Sequence, residues 1–210
     1  MGKKLLFSPW TKRALFLLCL IPGALLVLRG FQGHLTANPV EYIEHTTGDW
    51  AIRFLLITLA VTPLRKIFNQ PLLTRFRRLL GLFAFFYTFV HLMMYLIFDQ
   101  QFDVSGIWAD VMKRPYITVG TAGLLMMTPL AITSTAAMVR RMGPKAWQRL
   151  HRLVYFSTVA GIIHYYWLVK SDVREPFMYF GILAVLMLFR VRMWLTKEKK
   201  PAPTPVSARA

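Results

Sequence analysis

The chain has 210 residues, of which 56% are hydrophobic, and it carries 26 basic residues against 9 acidic ones, for a net charge of +17. Its apolar residues come in blocks too long for an ordinary soluble core, which is typical of a membrane protein. The positive charge does not indicate nucleic-acid binding, because Lys and Arg lie at the ends of the apolar blocks as topology signals and lipid-headgroup contacts do. We therefore expect membrane lipid, and no nucleic acid, as a partner.

Six membrane spans are predicted, each from a mostly apolar stretch near the roughly 20 residues that a bilayer requires. In chain order they are residues 14–31, 50–64, 79–98, 116–136, 152–170 and 176–194. The second and sixth are short, and Arg53, Arg190, Arg192 and Trp194 at their ends can snorkel. The first resembles a signal peptide, but no small-residue cleavage site follows it, so we expect it to be retained. The predicted fold class is an all-α membrane bundle of about six transmembrane helices.

The loops between the spans alternate in charge. Loops 65–78 and 137–149 are rich in Lys and Arg, so both are predicted to face the cytoplasm. Loops 32–49, 99–115 and 171–175 are acidic and are predicted to face the periplasm. Their acidic residues are Glu41, Glu44, Asp49, Asp99, Asp103, Asp110, Asp172 and Glu175. This pattern predicts a multi-pass protein of the bacterial inner membrane with both termini in the cytoplasm.

Residues 1–196 are predicted to form one transmembrane domain, because the spans and their loops take up nearly the whole length. Residues 197–210 are charged and Pro-rich without an apolar period, which predicts a disordered cytoplasmic tail. The single cysteine, Cys19, lies inside an apolar stretch. It permits neither an internal disulfide nor an all-cysteine iron–sulfur cluster, and no CxxCH motif is present, so any haem must be held non-covalently.

Five histidines divide by position into loop and span residues. His34 and His45 fall in the first predicted periplasmic loop, where a solvated side chain is the default interpretation. His91 and His164 lie inside predicted spans three and five and are both expected near the periplasmic face, where ionisable residues within a membrane are functional candidates. His151 lies 13 residues before His164, which is roughly 20 Å along an ideal helix, at the cytoplasmic start of span five.

Spacing alone leaves two interpretations of His91 and His164. Two neutral imidazoles on facing helices could bind one iron and give a six-coordinate haem without an open position, which suits electron transfer. Alternatively, both rings could form hydrogen bonds that brace the helices of a small transporter or scaffold. His151 is equally open: it could be an interfacial histidine, a ligand of a second haem, or part of a quinol or flavin site whose arginines hold propionate or phosphate.

Several sequence blocks follow one another from the loop after span one to the start of span six. They are ANPV at 37–40, TGDWAIRFLLITLAVTPL, QPLLTRFRRLLGLFAFFYTFVHL, KRPYITVG, TSTAAM, WQRLHRLVY and IHYYWLVK. Together these blocks resemble the ferric-reductase-like transmembrane domain family and, within it, the haem-binding subunits of bacterial methionine sulfoxide reductase systems. Because the blocks occur in the same order, the resemblance is more specific than any single histidine.

The wider family typically carries two haem-ligand histidines on span three and two on span five. Span five keeps both, His151 and His164, whereas span three keeps His91 and has Arg77 14 residues earlier. The resemblance therefore implies a haem b at His91 and His164, with His151 as a further candidate iron ligand and Arg77 as a candidate cofactor-binding residue. On an ideal helix His151 points roughly 140° away from His164, so span five would have to tilt or rotate for both to face haem.

The resemblance implies an electron conduit, a redox subunit without its own substrate-reducing site. Electrons would pass from quinol or a cytoplasmic flavin donor to a periplasmic molybdenum-containing reductase of the MsrP type, which reduces methionine sulfoxide in oxidised proteins. The family also implies FMN, although the sequence has no glycine-rich dinucleotide motif. The candidate FMN site is the basic cluster Arg75, Arg77, Arg78, Arg149 and Arg152. A self-sufficient ferric reductase would need a soluble flavin and nicotinamide domain, for which we expect no room.

Overall fold

The computed structural model describes residues 8–169 and 172–198, and within them nine α-helices form. They are α1 (Pro9–Phe31), α2 (Pro39–Ile67), α3 (Thr74–Met94), α4 (Val104–Lys113), α5 (Pro115–Ile132), α6 (Ala136–Met142), α7 (Pro144–Leu150), α8 (Leu153–Leu168) and α9 (Arg174–Glu198). A 3₁₀ turn, Pro71–Leu73, precedes α3, and a π-helical turn, Tyr95–Asp99, extends it. These residues contain no strand, so the prediction of an all-α membrane protein is confirmed.

Four helical segments in the described ranges are long and apolar enough to cross a membrane. They are Pro9–Phe31, Pro71–Asp99, Pro115–Ile132 and Arg174–Thr196. The two other predicted spans correspond to α2, which carries Asp49 and Arg53 within its length, and to α8, which has 16 residues. That these two helices also cross the membrane, and that the chain has six crossings in all, stays a prediction.

The predicted loops contain more helix than we expected. Helix α2 begins at Pro39 rather than near residue 50, because the Asn38 side chain accepts a hydrogen bond from the Glu41 N–H and caps its first turn. Loop 99–115 contains α4, which Asp103 caps in the same way. Loop 137–149 contains α6 and α7. At the far end, α9 continues through Glu198 into the predicted tail, and residues 199–210 lie outside the described part of the chain.

Two helix pairs form the framework of the molecule. Helices α2 and α3 pack through a buried aromatic cluster, in which the Phe54 ring lies 5.3 Å from the Tyr87 ring and 5.9 Å from the Phe83 ring. Helices α5 and α8 approach closely at Gly123, whose carbonyl accepts a hydrogen bond of 3.1 Å from the Ser157 hydroxyl. Aromatic rings therefore hold one pair together, and small residues hold the other.

Candidate functional site

A cavity of about 510 Å³ lies between these two helix pairs. Most of its lining surface is apolar, and α4 contributes Ile107 and Val111 to the wall. Charged residues of the acidic loops also line it: Glu41, Glu44, Asp49, Asp99 and Arg114. A volume of this size is typical of pockets that enclose a small molecule or cofactor.

His91 from α3 and His164 from α8 both line this cavity. Their ring centroids are 6.0 Å apart, and the ring planes make an angle of 81°. The two histidines are 73 positions apart in the sequence, 164 minus 91. The fold thus brings together the two span histidines that the sequence singled out.

Each of these rings uses Nδ1 for a hydrogen bond to the backbone of another helix. His91 Nδ1 donates to the Glu44 carbonyl on α2 at 2.9 Å, and His164 Nδ1 donates to the Tyr116 carbonyl on α5 at 2.7 Å. Because a carbonyl oxygen can only accept, Nδ1 carries the hydrogen, and the neutral ring has its lone pair on Nε2. The described residues give neither Nε2 a hydrogen bond. Histidines that bind metals through Nε2 are commonly oriented in this way.

The distance between the two rings fits one shared metal. An imidazole nitrogen lies about 2 Å from a transition metal such as zinc and about 1.2 Å from its own ring centre, so opposed rings have centroids roughly 6.4 Å apart. The observed 6.0 Å is close to this value. Among the described residues, no group of three or more His, Cys, Asp or Glu could hold a bare metal ion. Two imidazoles in a largely apolar cavity therefore suit an iron that brings four ligands of its own, as in haem.

Two helix glycines lie directly against the imidazoles. A Cβ atom at Gly48 on α2 would be 3.3 Å from His91 Nδ1, and one at Gly120 on α5 would be 2.7 Å from His164 Nδ1. Sequence reasoning missed both residues. A usable signal exists, since glycine inside a helix costs about 1 kcal/mol relative to alanine and so needs a packing reason. These two glycines provide the space that the rings occupy.

Residues 47–162 match the protein family described as ferric reductase like transmembrane component. The protein-methionine-sulfoxide reductase heme-binding subunit MsrQ of Caulobacter vibrioides is 48% identical over 188 residues, 90% of this chain and 90% of its own length. MsrQ of Xanthomonas euvesicatoria pv. vesicatoria is 50% identical, over 87% of this chain and 85% of its own. MsrQ of Herminiimonas arsenicoxydans is 47% identical, over 91% and 89%. This chain belongs to the MsrQ family.

Membership of the MsrQ family confirms the resemblance inferred from the sequence blocks. The matched segment of the wider family, residues 47–162, includes Gly48, His91, Gly120 and His151 and ends two residues before His164. It covers helices α3 and α5 completely. Much of the cavity framework of this MsrQ-family chain therefore lies in the segment that the wider family shares, whereas Glu44 and His164 lie just outside it.

His151 lies apart from the cavity, between α7 and α8. Its ring stacks on Trp147 with centroids 3.8 Å apart, and its Nε2 is 3.1 Å from the Thr133 hydroxyl. That hydroxyl already donates to the Pro129 carbonyl at 2.6 Å, so it accepts from His151 Nε2–H. Burial, with the charge of Arg77 nearby, lowers the pKa of His151 to about 4. That His151 binds iron in this MsrQ-family chain stays a prediction. It would require the ring to bind through Nδ1, or to rotate so that Nε2 is free.

The expected rotation of span five assumed one continuous helix through His151 and His164. In the structure a turn at residues 151–152 separates α7 from α8, so the ideal helical angle between the two histidines does not apply. Arg77, on α3, lies near enough to His151 for its charge to act on that ring. This arrangement places Arg77 at the His151 end of the MsrQ-family fold and away from the cavity lining.

The two remaining histidines differ from each other. His34 is exposed between α1 and α2, as predicted for a loop residue. His45 lies on α2, lines the cavity and comes within 3.9 Å of the Glu41 carboxylate. Nearby, burial and then the charges of Asp99 and Glu41 raise the pKa of Glu44 to about 7. The end of the cavity beside the acidic loops is therefore a polar, partly protonated environment near neutral pH.

Proposed function

We propose that this chain holds haem b between His91 and His164 and acts as the membrane electron-transfer subunit of a methionine sulfoxide reductase system. One observation carries the proposal: two imidazoles from α3 and α8, 6.0 Å apart in one cavity, each use Nδ1 for a backbone hydrogen bond. The relatives described above are named as heme-binding subunits of protein-methionine-sulfoxide reductase. The names and the geometry support the same cofactor.

When bound, haem b supplies a one-electron couple between its ferric and ferrous states. His91 and His164 would hold the iron through their Nε2 atoms, since each ring already uses Nδ1 for a hydrogen bond to a backbone carbonyl. The Nδ1 hydrogen bonds hold both rings in place, and lining residues such as Leu92, Leu124 and Met127 exclude water. These residues favour electron transfer without chemistry at the metal, which supports a conduit and not a substrate-reducing enzyme.

We further propose that electrons leave toward a periplasmic molybdenum-containing reductase of the MsrP type. The support is the position of the cavity, which is lined by Glu41 and Asp99 from loops that the charge rule assigns to the periplasm. Quinol or a cytoplasmic flavin is the proposed donor, and the inner membrane the proposed location. FMN at the basic cluster, with Arg77 as a contact, stays a prediction from the resemblance.

A purely structural pair of histidines is the competing function. Helix bracing in a transporter or scaffold accounts for the two Nδ1 hydrogen bonds. It does not account for two rings that line one cavity at the spacing of ligands on a shared metal. The haem proposal accounts for both features.

The decisive experiment measures haem in purified protein and in single variants. We expect a reducible b-type spectrum and a pyridine haemochrome in the unmodified protein, and loss of most of this absorbance in His91→Ala and in His164→Ala. His45→Ala is the matched control, because His45 lines the same cavity without a backbone hydrogen bond like those of His91 and His164. Unchanged spectra in both ligand variants, or colourless protein made with plentiful haem, would end the proposal.

A second experiment tests the partner separately. Pre-reduced protein in detergent is mixed with an MsrP-type reductase and methionine sulfoxide, and the b-type spectrum is followed over time. With oxygen excluded and the reductase in catalytic amount, we expect full reoxidation only when reductase and substrate are both present. Persistence of the reduced spectrum would reject the electron acceptor while leaving the haem assignment intact.

A further inference from the structure

The two candidate ligands are held by the same local arrangement, repeated on two helices. His91 donates to the carbonyl of Glu44, and the residue four positions later is Gly48. His164 donates to the carbonyl of Tyr116, and the residue four positions later is Gly120. The repeat of carbonyl and glycine on α2 and α5 is not required by helix formation, because neither carbonyl needs a second donor.

Helix geometry explains why the glycine follows the carbonyl by four residues. In an α-helix the carbonyl of one residue accepts the N–H four positions later, and that later residue's side chain stands beside the bond. The carbonyl oxygen has a second lone pair, which a donor from another helix can use only if this side chain leaves room. Glycine leaves that room.

The distances fit this explanation at both positions. A Cβ atom at Gly120 would be 2.7 Å from His164 Nδ1 and 3.1 Å from both Cε1 and Cγ of the ring. A Cβ atom at Gly48 would be 3.3 Å from His91 Nδ1 and 3.4 Å from Cε1. The nearest atom in each case is the donor nitrogen itself. The imidazoles therefore stand where the side chains of other residues would stand.

We propose that Gly48 and Gly120 are positioning residues, one for each imidazole, that set the strength with which His91 and His164 bind the haem iron. Each glycine gives Nδ1–H access to a helical carbonyl, which fixes the hydrogen on Nδ1 and makes Nε2 a stronger electron donor. A stronger donor stabilises ferric over ferrous iron, so these hydrogen bonds hold the midpoint potential down. The inference rests on the proposed haem function and deepens it.

The first test is the midpoint potential of two alanine variants in the haem-loaded, full-length protein. Gly120→Ala is expected to raise the potential more than Gly48→Ala, because its added Cβ overlaps the ring at 2.7 Å whereas the other meets it at 3.3 Å. We expect the low-spin electron paramagnetic resonance signal to change in the same order. The size of the shift should therefore increase from Gly48→Ala to Gly120→Ala.

Two glycines elsewhere in long helices provide matched controls. A Cβ atom at Gly81 on α3 would meet Thr58 Cγ2 at 3.7 Å, an ordinary contact, and one at Gly181 on α9 would meet nothing within 4 Å. Gly81→Ala and Gly181→Ala are expected to leave the potential and the resonance signal unchanged. A general effect of removing helix glycines would move all four variants together and would overturn the proposal.

The second test replaces the His164 ring with a free ligand. His164→Gly protein is loaded with haem and given imidazole, which has an N–H for the Tyr116 carbonyl, or 1-methylimidazole, which has none. We expect both to restore a low-spin spectrum, with a higher potential for 1-methylimidazole. In the double variant His164→Gly with Gly120→Ala, this difference between the two ligands should disappear.

The outcomes separate this inference from the haem proposal. Absence of pigment from the unmodified protein rejects the proposed function itself. Normal pigment with equal potentials in Gly48→Ala, Gly120→Ala and the controls rejects only the role of the glycines. If Gly120→Ala binds no pigment, the Gly48→Ala potential and the two free ligands in His164→Gly decide: no shift and no difference between ligands overturns the inference.

Discussion

His164 lies within predicted span five and His151 at its cytoplasmic start, and the two rings donate hydrogen bonds through different nitrogens. His164 donates from Nδ1 to a carbonyl of another helix and lines the cavity. His151 lies half-buried outside the cavity, donates from Nε2 to the Thr133 hydroxyl and stacks on Trp147. The nitrogen that carries the hydrogen therefore differs between the two ends of the span.

This difference identifies what makes a membrane histidine a candidate ligand. Burial alone does not, because both residues have intermediate solvent exposure. What matters is that the ring is held through Nδ1, so that the lone pair of Nε2 borders a space. His91 and His164 meet this condition, and His151 in its present orientation does not.

The largest expected effect comes from removing the two histidines separately. His164→Ala is expected to lose most of the b-type absorbance per polypeptide, whereas His151→Ala keeps the pigment that depends on His91 and His164. The physical reason is that only His164 lines the cavity. A pyridine haemochrome assay normalised to protein measures both. Equal losses of absorbance in the two variants would contradict the distinction between His164 and His151.

The second largest effect is expected where α5 meets α8. A Cβ atom at Gly123 would lie 3.4 Å from the Ala160 Cβ, so Gly123→Leu must push apart the helices that carry Tyr116 and His164. Overpacking of this kind costs about 1–3 kcal/mol, and we expect a lower thermal unfolding midpoint together with weakened haem binding. Gly181→Leu is the control, because a Cβ atom at Gly181 would meet nothing within 4 Å. Equal stability of the two variants would contradict the close approach at Gly123.

The third prediction concerns α1, which Tyr87 attaches to α3. The buried Tyr87 hydroxyl accepts from the Gly23 N–H and donates to the Cys19 carbonyl, both at 2.9 Å. Tyr87→Phe leaves these two backbone groups without that partner, so we expect a loss of about 1 kcal/mol in unfolding free energy with an unchanged spectrum. Tyr42→Phe, which removes only an exposed hydrogen bond with Arg29, should cost less. Similar losses for both variants would show that the Tyr87 hydroxyl is not a significant attachment.

Apolar stretches and charged loops predicted that His91 and His164 lie near one membrane face, and the resemblance paired them at one haem. The structure brings the two rings together in one cavity. The sequence was not sufficient to predict how the rings are held. Their hydrogen-bond acceptors are the backbone carbonyls of Glu44 and Tyr116, and any residue type supplies a carbonyl. The only sign of these hydrogen bonds in the sequence is a glycine four residues after each carbonyl, Gly48 on α2 and Gly120 on α5.

Some helix boundaries can likewise be predicted from the sequence, and others cannot. The start of α2 was visible as Asn38 followed by Pro39, but the acidic residues that follow favoured a loop. The break before α8 was not visible, because the segment around His151 has no Gly or Pro at the turn. The Thr133 hydroxyl, 18 positions before His151, contacts the ring at that turn, and such a tertiary contact leaves no local pattern in the sequence.

The smallest expected effect comes from changing Thr133, the hydrogen-bond partner of His151. Thr133→Val keeps the side-chain shape but removes the hydroxyl that accepts from His151 Nε2–H, at a cost of about 1 kcal/mol because the ring is only partly buried. Thr133→Ser retains the hydroxyl and is the control. We expect the b-type spectrum and the midpoint potential of both variants to equal those of the unmodified protein, since Thr133 is not among the residues that line the cavity. A shifted potential in Thr133→Val alone would mean that the freed ring reaches a haem, and His151 would then join His164 as a ligand.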